Sequence, residues 1–237
     1  MRKKILPQEV LKLIACITML IDHFGASILL ELQIPQMAQI YYACRIIGRM
    51  AFPIYCFLLA EGMRHTRNPL KYILRLGIGI LLAELPYDFL FEGGFTWAHQ
   101  SVMVTLTLGA VMILCMQKTD KKWLKILLVV PFAVLAEICK CDYGAGGIVM
   151  IAVFALFDRL PIQILGLWLV NRELLSTSAV TVFGLVLRIQ SLALLALIPI
   201  SLYNGKKLSH SKTIQWGFYL FYPVHLLILW MILLLIR

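Results

Sequence analysis

The sequence predicts an all-α integral membrane protein, a polytopic bundle of about nine membrane-crossing helices (eight to ten) around a polar cavity, with a cytoplasmic N-terminus. Three observations lead there. The 237 residues are 61% hydrophobic and only 14% charged, with a mean hydropathy of +0.88. A soluble domain averages about 45–50% apolar and about 25% charged residues. Apolar runs near the roughly 20 residues that a bilayer requires follow one another along the chain, and the basic residues collect in the alternate turns between them.

The first run, Val10–Leu30, follows Met1-Arg2-Lys3-Lys4. A charged start before an apolar run is also the pattern of a signal peptide, but this run is long, contains Asp22-His23 and lacks a small-residue cleavage site. It reads as a retained span. Ala38–Glu61, Leu70–Leu90, Gln100–Met116 and Trp123–Ile138 come next. Gly144–Phe157 and Leu160–Leu175 are short, fitting two half-spans or one broken helix, and Ala179–Leu202 and Ile214–Ile236 complete the set.

Charge orients these elements. Fourteen cations fall in the segments that a cytoplasmic N-terminus makes inner: Arg2, Lys3, Lys4, Arg64, Arg67, Lys71, Lys118, Lys121, Lys122, Lys125, Arg159, Lys206, Lys207 and Lys212. Only Lys140, Arg172 and Arg237 fall at the outer ends. The asymmetry predicts nine spans with the C-terminus outside. Topology also accounts for the net charge of +10 and pI near 9.4, so no nucleic-acid partner is expected. Cys16, Cys44, Cys56 and Cys115 read as small packing residues within spans, while Cys139 and Cys141 are too close in sequence to suggest a strong disulfide. Residues 1–237 form a single domain, with no repeat or linker.

Ionisable residues inside the spans point to a site. A charge in hydrocarbon costs at least about 2.5–3.5 kcal/mol even on the lenient insertion scale. This chain places Asp22, His23, Arg45, Arg49, Glu84, Asp88, Glu137, Arg188 and His225 there. Counting about 1.5 Å per residue puts His23 roughly 20 Å from the inner end, and Arg45 and Arg49 roughly 10–17 Å from the outer one. The remainder fall in the middle or outer half, in one slab. Lys12 and His23 are eleven residues apart, nearly three turns, and share a face; Arg45/Arg49 and Glu84/Asp88 are i,i+4 pairs. Tyr219, Tyr222 and His225 follow one ridge. Glu84, Glu137 and Arg188 read equally well as structural pairs between helices. His65, His99 and His210 fit solvated or interfacial positions. No recognisable metal-ligand set exists, and none is expected.

Several stretches resemble the TraX family: Leu11-Lys12-Leu13-Ile14-Ala15 with Met19, Asp22-His23 and Gly25, and then Arg45-Ile46-Ile47-Gly48-Arg49 with Ala51-Phe52-Pro53-Ile54. Glu61-Gly62, Lys71-Tyr72, Arg75-Leu76, Asp142-Tyr143-Gly144 with Gly147, and Phe218 to Leu226 extend the resemblance from end to end. It implies an acyltransferase that uses acetyl-CoA, since TraX proteins are associated with acetylating the amino terminus of conjugative pilin outside the inner membrane. The family is also similar to the wider transmembrane acyltransferases of surface glycans, which carry a basic residue, ten residues, then His. Lys12 and His23 keep that spacing, with Lys in place of the usual Arg, a point charge that cannot hold phosphate bidentately.

On this resemblance His23 is the general base or acyl carrier and Asp22 its electrostatic partner, free to pair instead with Arg45 or Arg49. Either arginine, or Tyr222, is a candidate for stabilising the oxyanion, and His225 joins them. Lys12, Arg75, Lys71, Arg64 and Arg67 are the candidates for binding the ADP part of CoA, although topology alone also explains the loop arginines. The acceptor is an extracytoplasmic peptide or pilin, or a glycan, through an amine or hydroxyl. Two other readings place charges at mid-membrane: a small-molecule transporter or flippase, and a non-enzymatic partner in pilus or secretion assembly.

Overall fold

The computed structural model describes residues 4–175, 179–182, 184–209 and 211–237, so Arg2, Lys3 and His210 lie outside the described residues. Helix α1 (Gln8–Phe24) starts behind Pro7 and runs through a π-helical turn, Gly25–Leu29, that begins two residues after His23. Such turns bulge a helix locally and recur at functional sites. Gln33, in the left-handed conformation at φ 47°, and Pro35 then turn the chain back.

The second predicted span is divided. Helix α2 (Ala38–Gly48) stops, and α3 (Ala51–His65) begins after a tightened turn in which the Arg49 amide is shared between the Arg45 and Ile46 carbonyls and the Met50 amide reaches three residues back, to Ile47. Pro53 has no amide hydrogen to donate, which suits the first turn of the restarted helix. Helix α4 (Pro69–Phe91) is opened by Asn68, whose side chain accepts from the Lys71 amide at 3.0 Å, with Pro69 at its first position.

Next come α5 (Val102–Gln117), the pair α6 (Lys122–Leu127) and α7 (Val129–Ile138), α8 (Gly144–Leu156) and α9 (Leu160–Leu169), which is prolonged by a π-turn over Val170–Leu174. A short helix, α10 (Leu197–Ser201), precedes the closing α11 (Lys212–Ile236).

One expectation is corrected. Ala179–Leu202 is not a helical span. It opens as an antiparallel hairpin, β1 (Ala179–Val182) with β2 (Leu185–Arg188), followed by a 3-10 helix over Ile189–Ala196 and then α10. The β-branched run Val180-Thr181-Val182 favours extended backbone, and Gly184 at φ 79° supplies the turn. Apolar content suggested a span here, but it does not distinguish helix from strand. Arg188 therefore ends a strand and is exposed.

Among the described residues, three helical stretches are long and apolar enough to cross a membrane: Gln8–Leu32, Pro35–His65 and Lys212–Ile236. Shorter apolar helices accompany them, and Pro69–Phe91 has the length but carries Lys71, Arg75, Glu84 and Asp88. The outer surface is apolar, with Leu81 77% and Leu235 87% exposed. The interior is filled chiefly by α3, α5 and α8, where Ile54, Met112, Ile148 and Ile151 are fully buried.

The segment ends sort into two groups. At the end bearing the amino terminus, Leu6 bridges Tyr203, Gln117 donates to the Met63 carbonyl at 2.9 Å, and Arg64 meets Asp158 at 2.7 Å. At the opposite end Arg237 pairs with Glu31 at 2.9 Å, and Gln100 bridges Cys141. Successive segments alternate in direction.

Candidate active site at the junction of two cavities

Helices α1, α2, α4 and α11 surround His23. Its Nδ1 lies 2.7 Å from His225 Nε2, and His225 Nδ1 lies 2.7 Å from the Phe221 carbonyl oxygen. A carbonyl only accepts, so His225 Nδ1 carries hydrogen, and in a neutral ring its Nε2 then accepts. His23 Nδ1 must be the donor, which leaves the lone pair of a neutral His23 on Nε2. The assignment follows from the chain of partners. Phe91 and Tyr222 hold the ring edge-on, at centroid distances of 5.4 and 6.1 Å.

Asp22 turns the other way. Both its oxygens accept from Arg49 Nη2, at 2.8 and 2.7 Å, and one also meets Arg45 Nη1 at 3.1 Å. The two arginines are one helical turn apart, so both reach the same carboxylate. Gly48 lies between them in sequence, and a Cβ there would overlap the Asp22 side chain. The Arg-Ile-Ile-Gly-Arg stretch is thus two cations and the space for the anion they share. The histidine that Asp22 adjoins in sequence is paired with another histidine, not with Asp22.

These groups line a cavity of about 220 Å³, together with Tyr87, Phe91, Asp142 and Tyr143. Asp142 and Tyr143 sit in the turn between α7 and α8, where Tyr143 adopts φ 65° and stacks on Phe52 at 3.8 Å between centroids. Burial pushes the Asp142 carboxyl up to about 6, against the pull of Arg49. The Asp142 carbonyl accepts from the Thr105 hydroxyl, which anchors the turn.

A second cavity, of about 680 Å³, opens toward the end bearing the amino terminus. Lys12, Arg75, Lys206 and Lys207 line it with Tyr72, Phe218, Tyr219 and Tyr222. Lys12 Nζ lies 5.2 Å from the Phe218 ring centre and the Arg75 guanidinium 5.7 and 5.9 Å from Tyr72 and Tyr219, so aromatic faces hold both cations. Met19, Tyr55 and Val102 line both cavities and form their common wall. Lys12 and His23, on one face of α1, therefore serve adjoining chambers.

A family model described as "TraX protein" matches residues 7–233. The chain belongs to the TraX family. Over 233 residues it is 29% identical to the "Probable fimbrial assembly protein FimC, serogroup H1" of Dichelobacter nodosus, covering 92% of each chain. No solved structure matches.

The TraX-like stretches converge on the two cavities. Asp22, His23, Arg45 and Arg49 line the smaller one, with His225 buried behind His23, while Tyr222, Lys12 and Arg75 line the larger. Arg64, Lys71 and Arg67 line neither: Arg64 is held by Glu61, Asp158 and two carbonyls, and Lys71 and Arg67 are exposed. Glu84 and Glu137 act structurally. Glu84 accepts from the Ser101 amide at 3.1 Å ahead of α5, and Glu137 from the Ala145 amide at 2.6 Å in the first turn of α8.

Sequence reasoning did not assign Tyr55, Tyr87, Phe91, Lys206 or Lys207 to the site, and it noted Asp142 and Tyr143 only as a family motif. The motif was the available signal for those two; the others needed the three-dimensional arrangement. Among the described residues no group of three or more His, Cys, Asp or Glu is placed to hold a metal ion.

Proposed function

We propose that this TraX protein is a membrane-embedded acyltransferase that takes an acetyl group from cytosolic acetyl-CoA and passes it to an amine or hydroxyl of an extracytoplasmic acceptor. The observation that carries the reading is the pair of cavities back to back, one lined by four cations with Glu9 and Glu61 and one containing His23, with Met19, Tyr55 and Val102 as their common wall. The larger is within the roughly 300–1,000 Å³ typical of small-molecule sites. Its four cations suit the phosphates of CoA, and its aromatic lining suits an adenine or pantetheine arm. Charge asymmetry supports a cytoplasmic position for this cavity.

In the reaction, the acceptor nitrogen or oxygen attacks the thioester carbonyl carbon, and His23 Nε2 removes its proton. Arg45 lines the same cavity and is positioned to receive the developing oxyanion, since its contact with Asp22 uses Nη1. As the tetrahedral intermediate collapses, the carbon–sulfur bond breaks and the CoA sulfur takes the proton from His23. Acetyl leaves CoA and hydrogen leaves the acceptor, so the balance closes. His225 and the Phe221 carbonyl orient the base, much as an acceptor orients the histidine of a hydrolase triad. The relative's printed role in fimbrial assembly favours a subunit of a surface appendage as acceptor.

The test is acetyl transfer from radiolabelled acetyl-CoA by purified protein, with an amine peptide as acceptor. His23→Ala lowers turnover by about 10²–10⁴-fold, the range of a general base. Undiminished turnover by a folded His23→Ala protein overturns the assignment.

A further inference from the structure

A third cavity, of about 730 Å³, lies at the end of the bundle bearing the amino terminus and takes no part in the proposed reaction. Arg64, Lys122, Lys125 and Arg159 line its rim, and Ile113, Met116, Ile126 and Ile162 supply apolar walls. Asp158, its only acidic lining residue, is bound to Arg64 at 2.7 Å. Lys122, Lys125 and Arg159 have no side-chain partner among the described residues. The cavity thus offers three uncommitted cations above an apolar floor.

Its surroundings are exposed and apolar. Helices α6 and α7 expose Ile126, Val130, Val134 and Ile138, each more than half accessible, along one side. Trp123, 62% exposed, is next to Lys122 in the chain, and indole rings are enriched at membrane interfaces. A preference for cations in inner loops explains basic residues there. It does not explain a recess between helices whose cations lie over buried Ile113 and Met116.

We propose that this recess is a binding site for an anionic phospholipid of the inner leaflet, its headgroup phosphate held by Lys122, Lys125 and Arg159 and an acyl chain lying along Ile126 and Ile162. Basic pockets between membrane helices on the cytoplasmic side hold acidic lipids on the same physical grounds. A monoanionic phosphodiester with a lipid tail satisfies both halves of the recess, whereas a soluble phosphate would leave the apolar half empty.

Native mass spectrometry of the full-length protein tests this, using phosphatidylglycerol and phosphatidylcholine of matched chains. The expected result is retention of phosphatidylglycerol several-fold above phosphatidylcholine, lost in Lys122→Gln/Lys125→Gln/Arg159→Gln. A comparison of Lys122→Gln/Lys125→Gln with Lys118→Gln/Lys121→Gln keeps the charge loss equal while moving it off the recess; only the first pair should weaken retention. Equal retention of the two lipids, or equal loss in the two double variants, overturns the proposal. Displacement of the lipid by free inorganic phosphate or by CoA also overturns it, because the recess would then be a soluble-anion site.

Discussion

Asp22 is held by two guanidinium groups in a setting where its side chain and that of Arg49 are only 11% and 12% exposed. Removing one charge from a buried cluster leaves the others uncompensated, which typically costs about 3–5 kcal/mol. Asp22→Asn should therefore lower unfolding stability in detergent by about that much, and an unchanged midpoint would contradict the assigned pairing. This makes Asp22 first an anchor for Arg45 and Arg49. Its influence on His23 is indirect, through the arginines it positions. Asp142 gives a pH signature. Its carboxyl rises from 3.8 to about 6 through burial, so its protonated form stabilises the fold below about pH 4, and that contribution is lost as pH rises through about 6. Comparing wild type with Asp142→Asn from pH 4 to 7, wild type should lose up to about 3 kcal/mol relative to the variant. Parallel stability curves would show that the carboxyl is not so placed.

Among the elements, the junction of α1 with α2 depends on a missing side chain. Gly25 lets α1 lie against Cys44, and Gly48 makes room for Asp22. Gly48→Ala should force the helices apart, costing about 1–3 kcal/mol as other overpacked sites do. It should also depress acetyl transfer by shifting Arg45 and Arg49; full stability with full turnover would contradict the close approach. The sequence showed the polar positions on α1, α2 and α11 because an ionisable residue in an apolar run stands out, and helical spacing then tied Lys12 to His23. It left open whether Asp22 would pair with His23, its neighbour in the chain, or with Arg45 and Arg49, its neighbours only in space. The hairpin was hidden for another reason. Ala179–Leu202 is mostly apolar, so hydropathy alone could not separate strand from helix, and Gly184 was the local marker of the turn.

Across the whole molecule, the two ends of α1 line different cavities, Lys12 the larger and His23 the smaller. The TraX assignment reads directly from motifs spread along the chain, but the chambers and their common wall depend on contacts between residues far apart in sequence, such as Tyr55 with Cys16 at 3.3 Å. If the cationic chamber holds CoA, then Lys12→Gln/Lys206→Gln should raise the KM for acetyl-CoA several-fold, with kcat much less affected, and added salt should blunt the difference. An unchanged KM would move the donor elsewhere. The central claim is that one His23-centred site receives donor from the cytoplasmic side and acceptor from the other. Proteoliposomes of known orientation test it most directly, with labelled acetyl-CoA on the cytoplasmic face and a membrane-impermeant amine peptide on the opposite one. Wild-type protein should yield acetylated peptide, and His23→Ala none above background. Transfer only when donor and acceptor share a face, or equal transfer by both proteins, would contradict it.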